Sequence, residues 1–80
     1  MKHPRDLSAD ELVGRLKILG YRVTRQVGSH MRLTTEREGQ HHITIPAHKR
    51  LTIGKVDAVL WQLVDHFGLS RKQIEALLFE

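Results

Sequence analysis

The amino-acid sequence predicts an α+β fold. We expect a two-layer sandwich in the order α-β-β-β-α plus a C-terminal helix, with helices on one face of a three-stranded antiparallel sheet. Three observations predict it. Apolar residues recur every three or four positions near both ends, they alternate with polar residues from Tyr21 to Ile45, and eighty residues can build only one core. Residues 1–80 are therefore interpreted as a single domain.

The first helix is predicted from Ser8 to Leu19. Ser8 followed by Glu11 is the pattern of a capping box, and Leu7 and Leu12 are spaced to form the hydrophobic staple around it. The apolar stripe of this helix consists of Ala9, Leu12, Leu16 and Leu19. Gly20 is placed to end the helix in a left-handed conformation.

Three strands are predicted next, over Arg22–Gln26, His30–Glu36 and Gln40–Ile45. Their register follows from the requirement that the apolar side chains share the buried face. These side chains are Val23, Met31, Leu33, Ile43 and Ile45. A plain two-residue Gly-Ser turn fails this requirement. The first turn is therefore interpreted as a three-residue loop or bulge over 27–29, and the second as a three-residue loop over 37–39 with Gly39 left-handed.

This register predicts which side chains share the polar face of the sheet. The three predicted rows are Arg22, Thr34 and His42; then Thr24, Arg32 and Thr44; then Gln26, His30 and Pro46. The result is an open, basic and hydroxyl-rich surface with His30 at one end.

Two further helices complete the predicted fold. Thr52 is typical of an N-cap, and a helical stripe follows until Gly68 supplies a stop. The stripe consists of Val56, Leu60, Leu63 and Phe67. Ser70 and Gln73 form a second capping box, with Leu69 and Ile74 as its staple and Leu77 and Leu78 continuing the stripe. Trp61 lies off the main stripe, so it either packs against the third helix or faces a partner.

Composition and charge narrow the class of protein. The chain contains no cysteine and no apolar run near the roughly 20 residues that span a bilayer, and its start does not resemble a signal peptide. We expect a cytoplasmic protein without a membrane role. Between Arg22 and Lys55 there are seven lysine and arginine residues against two glutamates, and four of the six histidines. Such a segment attracts a polyanion, although basic residues also guard sheet edges.

The six histidines do not have the spacing of a metal site. His41 and His42 are adjacent on a strand and so point to opposite faces, and no histidine pair sits four apart on a helix beside carboxylates. His3 and His66 are interpreted as ordinary surface residues. We expect no metal and no small-molecule cofactor.

Several segments together resemble one known family. They are Gly20-Tyr21-Arg22-Val23, Gln26-Val27-Gly28-Ser29-His30, Ile43-Thr44-Ile45-Pro46-Ala47-His48-Lys49, and Gly54 at a helix start. In these segments the chain is similar to the HicA, or YcfA-like, toxins. The resemblance implies a fold like the double-stranded-RNA-binding domain, an mRNA endonuclease activity, and a HicB-type antitoxin that blocks it. It also implies that His30, in the Gly-Ser-His motif, is the catalytic residue.

The residues themselves are compatible with that chemistry. An imidazole suits the removal of a proton from a ribose 2′-hydroxyl, and neighbouring arginines stabilise charge on the phosphate. The candidate RNA-binding residues are Arg22, Ser29, Arg32, His48, Lys49 and Lys55. His48 is a candidate general acid or a solvated loop residue, and the start of the second helix near Gly54 either holds an anion or merely packs. The alternatives are a non-catalytic RNA-binding module and a protein-interaction domain that docks through Trp61.

Overall fold

The computed structural model describes residues 7–80, so His3 lies outside it. The chain enters α1, Ala9–Leu16, which one 3₁₀ turn extends over Lys17–Leu19. The first capping box is confirmed, because the Glu11 N–H donates to Ser8 Oγ and the Ser8 N–H donates to Glu11 Oε1, each at 3.1 Å. Gly20 ends this segment with a φ of 84°. A Cβ at Gly20 would lie 2.8 Å from the Thr35 hydroxyl oxygen, so packing as well as backbone conformation requires glycine.

The three predicted strands are present, with ends within one residue of the expected positions. They are β1, Arg22–Val27; β2, His30–Thr35; and β3, His41–Pro46. They form one antiparallel sheet in the order β1-β2-β3. The predicted register between β2 and β3 is confirmed, since Arg32 pairs with Thr44 and Thr34 pairs with His42.

The prediction for the first hairpin is wrong. Val27 pairs directly with His30, which leaves a two-residue turn at Gly28-Ser29. Gly28 has a φ of 58°, as expected for a type II′ turn, whose first central residue is usually glycine. The predicted three-residue loop required an unbroken β1. In the structure a β-bulge between Val23 and Arg25 shifts the register by one residue. This shift inside the strand keeps the apolar side chains on the buried face, which the longer loop was expected to do.

The bulge changes which β1 side chains reach the polar face. Arg25, instead of Thr24, pairs with Arg32, and Val27, instead of Gln26, pairs with His30. Val27 is therefore 60% exposed. Val23 lies opposite the buried Leu33 as predicted, but it stays 42% exposed because β1 is an edge strand.

The second hairpin is longer than predicted. The last paired residues are Thr35 and His41, so five residues, 36–40, connect the strands. Gly39 has the expected positive φ, 95°, and Glu38 has a φ of 57°. The connection and the end of β2 are bonded to the 3₁₀ turn that follows α1. Arg37 Nη1 donates to the Ile18 carbonyl at 2.8 Å, and the Thr35 hydroxyl donates to the Leu19 carbonyl at 2.8 Å.

The remaining helices are α2, Ile53–Phe67, and α3, Arg71–Phe79. The caps predicted at Thr52 and Ser70 are confirmed, and Gly68 ends α2 with a φ of 66°. Leu77 was expected in the buried stripe of α3 but is 42% exposed. Its place is taken by Phe79, because α3 buries Ile74, Leu78 and Phe79.

One apolar core joins the helices to one face of the sheet. Its buried members are Leu7, Ala9, Leu12, Leu16, Leu19, Tyr21, Met31, Leu33, Ile43, Ile45, Leu51, Val56, Val59, Leu60, Leu63, Ile74, Leu78 and Phe79. The predicted α+β class and the helix-sheet layering are therefore confirmed. Among residues 7–80, no helix has the length and apolarity needed to cross a bilayer.

Candidate active site

His30 lies at the end of the sheet where the first hairpin turns. It is the first residue of β2, directly after the turn at Gly28-Ser29, and it pairs with Val27 on one side and Pro46 on the other. Its side chain is exposed. Within residues 7–80 neither ring nitrogen of His30 makes a hydrogen bond, so the imidazole is available to a ligand.

A shallow depression on the polar face of the sheet contains His30. We call it the sheet depression, and its lining residues are Arg25, Val27, His30, Arg32, His42 and Thr44. The lining side chains are basic, imidazole, hydroxyl or apolar, so the depression presents two guanidinium groups without a lining carboxylate. An anionic ligand is favoured at such a surface.

A chain of hydrogen bonds orients His42 in this depression. Thr34 Oγ1 lies 2.8 Å from His42 Nδ1 and 2.8 Å from Thr24 Oγ1, and the Thr24 hydroxyl donates to the Arg32 carbonyl at 3.3 Å. We call Thr24, Thr34 and His42 the hydroxyl–imidazole chain. Thr34 is only 5% exposed, so these bonds also satisfy a buried polar group on an otherwise open face.

His48 and Lys49 lie beside the hairpin turn and outside the sheet depression. The Ala47 N–H donates to the Ser29 carbonyl at 2.6 Å, which joins the turn to the segment after β3. The Ala9 N–H donates to the His48 carbonyl at 3.0 Å, so this segment also contacts the start of α1. A separate depression there is lined by Ser8, Ala9, Asp10, Ala47, His48 and Lys49.

The other two candidate residues lie farther away. Arg22 is exposed and pairs with Thr34, at the opposite end of β1 from the turn. Lys55 is exposed in the first turn of α2, where its backbone N–H donates to Thr52 Oγ1 at 3.2 Å. The structure thus brings His30 and Arg32 into one depression, with Ser29 in the turn directly before His30, and places His48 and Lys49 in a separate depression.

Of the six residues that line the sheet depression, the predicted site contains only His30 and Arg32, and it lacks Arg25, Val27, His42 and Thr44. Arg25 was expected on the opposite face, and only the bulge turns it toward Arg32. His42 was placed on the polar face but given no function. The Gly-Ser dipeptide could have predicted the position of Arg25, because it is typical of a two-residue turn. With such a turn, the apolar side chains share one face of the sheet only if β1 contains a bulge.

The covered side of the sheet holds a second histidine cluster. The Tyr21 hydroxyl lies 2.7 Å from His41 Nδ1, and the His41 ring stacks on His66 with 4.3 Å between centroids. His66 is half-buried, and its Nε2 donates to the Arg37 carbonyl at 2.9 Å. Burial raises the pKa of Tyr21 to about 12. Burial, then the charges of His66 and His42, lower the pKa of His41.

His41 and His42 point to opposite faces, as predicted. Within residues 7–80, no three histidine, cysteine, aspartate or glutamate side chains are grouped to hold a metal ion.

Trp61 contacts α3 through an arginine. The Arg71 guanidinium carbon lies 5.0 Å from the centroid of the Trp61 ring, a cation–π distance. Arg71 also pairs with Asp57 and Glu75, each at 2.7 Å. Of the two interpretations left open, packing against the third helix accounts for this contact, although the Trp61 ring remains 51% exposed.

The fold and the open face define a class of protein. It is a small α+β domain whose sheet is covered by helices on one side and presents arginine and imidazole side chains on the other. A family model described as the HicA toxin of bacterial toxin-antitoxin matches residues 9–63, from the start of α1 through most of α2. The chain belongs to the HicA toxin family, and it is the toxin member of a toxin–antitoxin pair. Comparison with the curated proteins and with the solved structures gives no match.

Proposed function

We propose that this toxin is a metal-independent endoribonuclease that cuts mRNA, with His30 as the general base. The observation that carries the proposal is the sheet depression, where an exposed imidazole that no described residue bonds shares one surface with Arg25 and Arg32. Membership of a toxin family supports a reaction that harms the cell. The glycine-containing turn before His30 supports close approach of an RNA backbone to this end of the sheet.

RNA carries its own nucleophile, which determines what the protein must supply. The His30 imidazole takes the proton of a ribose 2′-hydroxyl as that oxygen attacks the adjacent phosphorus. The bond from phosphorus to the 5′ oxygen then breaks, and the 5′ oxygen receives a proton from a general acid or from water. The products are a 2′,3′-cyclic phosphate and a 5′-hydroxyl. Because the nucleophile needs no metal-bound water, we expect chelators to leave the rate unchanged.

The basic residues have separate roles in this proposal. Arg32 and Arg25 hold the phosphate near His30 and stabilise charge that develops on it. Arg22 extends the contact along the sheet, and Ser29, His48 and Lys49 extend it past the hairpin turn, where the Ala47-Ser29 hydrogen bond brings the two segments together. Lys55 contributes charge from the start of α2. His48 is the proposed general acid, since it lies on the segment joined to that turn.

The alternative is a non-catalytic RNA-binding module. It is supported by the same arginines, because a basic face binds phosphates whether or not an imidazole removes a proton. The two proposals differ in one result: a binding module binds RNA but does not cleave it, so no new RNA ends are formed. A protein-interaction domain that docks through Trp61 would show little dependence of RNA binding on salt.

The test is the His30→Ala variant. We expect cleavage and toxicity to be lost, with a rate at least about 100-fold below wild type, because that is a typical contribution of a general base. Folding and RNA affinity should be retained, since the His30 side chain is exposed and bonds no described residue. Gln62→Ala on α2 is a suitable control, because it changes an exposed side chain in the helical layer. Cleavage by folded His30→Ala within about tenfold of the wild-type rate would contradict the assignment.

A further inference from the structure

We propose that His42 is a second functional imidazole of the sheet face, which positions the RNA backbone by donating a hydrogen bond from Nε2 to a phosphate other than the one that is cut. This inference rests on the proposed function. Three features carry it: the hydroxyl–imidazole chain, the position of His42 in the sheet depression, and its distance from His30.

The hydroxyl–imidazole chain fixes which ring nitrogen is free. His42 Nδ1 is engaged by Thr34 Oγ1, so Nε2 is the nitrogen left for a ligand, and no described residue bonds it. Hydroxyl groups can reverse their donor direction. When the imidazole is neutral with its hydrogen on Nε2, the Thr34 hydroxyl donates to Nδ1. When it is cationic, Nδ1–H donates to Thr34, Thr34 to Thr24, and Thr24 to the Arg32 carbonyl. In both of these states Nε2 carries a hydrogen, whereas the other neutral tautomer carries it on Nδ1 and leaves Nε2 as an acceptor. A phosphate oxygen only accepts, so a bound phosphate selects the states with Nε2–H.

The surroundings of His42 favour a phosphate as that ligand. His42 lines the same depression as Arg25 and Arg32, so the positive charge that favours a phosphate at His30 also favours a neighbouring phosphate at His42. A donor held in place by its other ring nitrogen loses less conformational entropy on binding than a free side chain does. This orientation distinguishes His42 from His30, which has no such support within residues 7–80.

The sheet register separates the two imidazoles. His30 pairs with Pro46 and Thr34 pairs with His42, so the two rows are four residue positions apart along β3. At the rise of a strand this is about 13 Å along the sheet. A general base and a group that acts on the same bond must both come within hydrogen-bond distance of it. His42 therefore acts as a positioning residue at another phosphate of the same strand, with Arg32 in the row between.

The experiment measures whether His42 contacts one particular phosphate of the RNA. The probe is a short RNA with 2′-O-methyl groups on every ribose, which removes the nucleophile, and with one phosphate at a time replaced by an uncharged methylphosphonate. We expect one replacement, away from the cut site, to weaken wild-type binding about tenfold and to have little effect on His42→Ala, as for the loss of one hydrogen bond to a charged group. Lys72→Ala, on the opposite layer, should show the wild-type pattern.

Kinetics on ordinary RNA supply a readout that a purely structural role would not give. His42→Ala should raise KM about tenfold and leave kcat near wild type, whereas His30→Ala removes kcat. Thr34→Val, which lacks the hydroxyl that holds Nδ1, should shift KM in the same direction, and Thr34→Ser should restore it. If Thr34→Val does not fold, the methylphosphonate comparison with His42→Ala decides alone.

The possible failures are distinguishable. If every methylphosphonate weakens wild type and His42→Ala equally, His42 contacts no phosphate, and the inference is wrong while the assignment of His30 stands. If wild-type protein neither binds the methylated RNA nor cuts ordinary RNA, the proposed function is wrong as well.

Discussion

Arg32 occupies the central strand of the sheet, between the rows of His30 and His42 on the polar face. Its side chain is exposed, so Arg32→Ala should change the free energy of unfolding by less than about 0.5 kcal/mol. RNA affinity should fall, and the slope of log K against log salt should flatten by about one unit, since one phosphate contact is lost. Binding titrations at several salt concentrations measure this. An unchanged slope would mean that the RNA binds elsewhere, and Lys72→Ala on α3 is the matched control.

His41, on the covered face, makes stability depend on pH. Burial and the nearby His66 and His42 lower its pKa below the ordinary value of 6.5. The unfolded chain then binds the proton more readily than the folded one. We expect the free energy of unfolding to be highest above pH 6.5 and to fall as the pH drops below it.

Urea titrations at pH 7.5 and pH 5.5, on either side of the imidazole range, measure this dependence. His41→Gln should reduce the pH dependence, because the glutamine amide can accept a hydrogen bond from the Tyr21 hydroxyl but does not titrate. His48→Gln, which replaces an exposed loop histidine, should keep the wild-type dependence. Equal pH dependence in His41→Gln and wild type would contradict the attribution to His41.

The first hairpin depends on the backbone conformation of one glycine. Gly28 has a φ of 58° and open space around its Cα, so Gly28→Ala meets no steric contact but forces alanine into a conformation that it disfavours. We expect a loss of about 1–2 kcal/mol. Gly14→Ala, also in open space but inside α1, should instead stabilise by about 1 kcal/mol. Chemical denaturation of both variants separates the backbone effect from the added methyl group. If Gly28→Ala left the free energy of unfolding unchanged, the turn would have to adopt another conformation.

The elements differ in how far the sequence predicts them. The helix starts at Ser8, Thr52 and Ser70 depend on local side-chain bonds, and all three predictions are confirmed. The β2–β3 register is also confirmed, because Leu33 and Ile43 must both be buried.

The β1 register and the two loops depend on tertiary contacts, which a local pattern does not contain. A bulge in β1 is one of two ways to satisfy the same alternation, and the exposure of Val23 follows from its place at the sheet edge. The polar face was therefore predicted with Arg32 and His30 but without Arg25. The orientation of His42 by Thr34 requires side-chain geometry that no spacing rule supplies.

At the scale of the whole molecule, one face of the sheet contributes to stability and the other is available for binding. The covered face carries the apolar core and the Tyr21-His41-His66 cluster. The open face carries the sheet depression, whose side chains contribute little to the core. Substitutions on the open face should therefore alter RNA contact without unfolding the protein. An antitoxin can cover that same face without competing for any contact that holds the toxin together.

We expect the partner of this toxin to be an acidic antitoxin of the HicB type that covers the sheet depression. The depression presents Arg25 and Arg32 without a lining carboxylate, so an acidic surface is complementary to it. Amides of β2 are already bonded within the central strand, so hydrogen exchange is most informative in the exposed segments beside it. In the complex, exchange should slow at 27–30 and 47–50 and stay unchanged in α3, and the His30 and His42 imidazoles should resist chemical modification. Arg32→Ala should weaken the complex and reduce its salt dependence, whereas Lys72→Ala should not. Protection confined to α3, around Trp61 and Leu77, would instead show that the antitoxin docks on the helical layer and inhibits without covering His30.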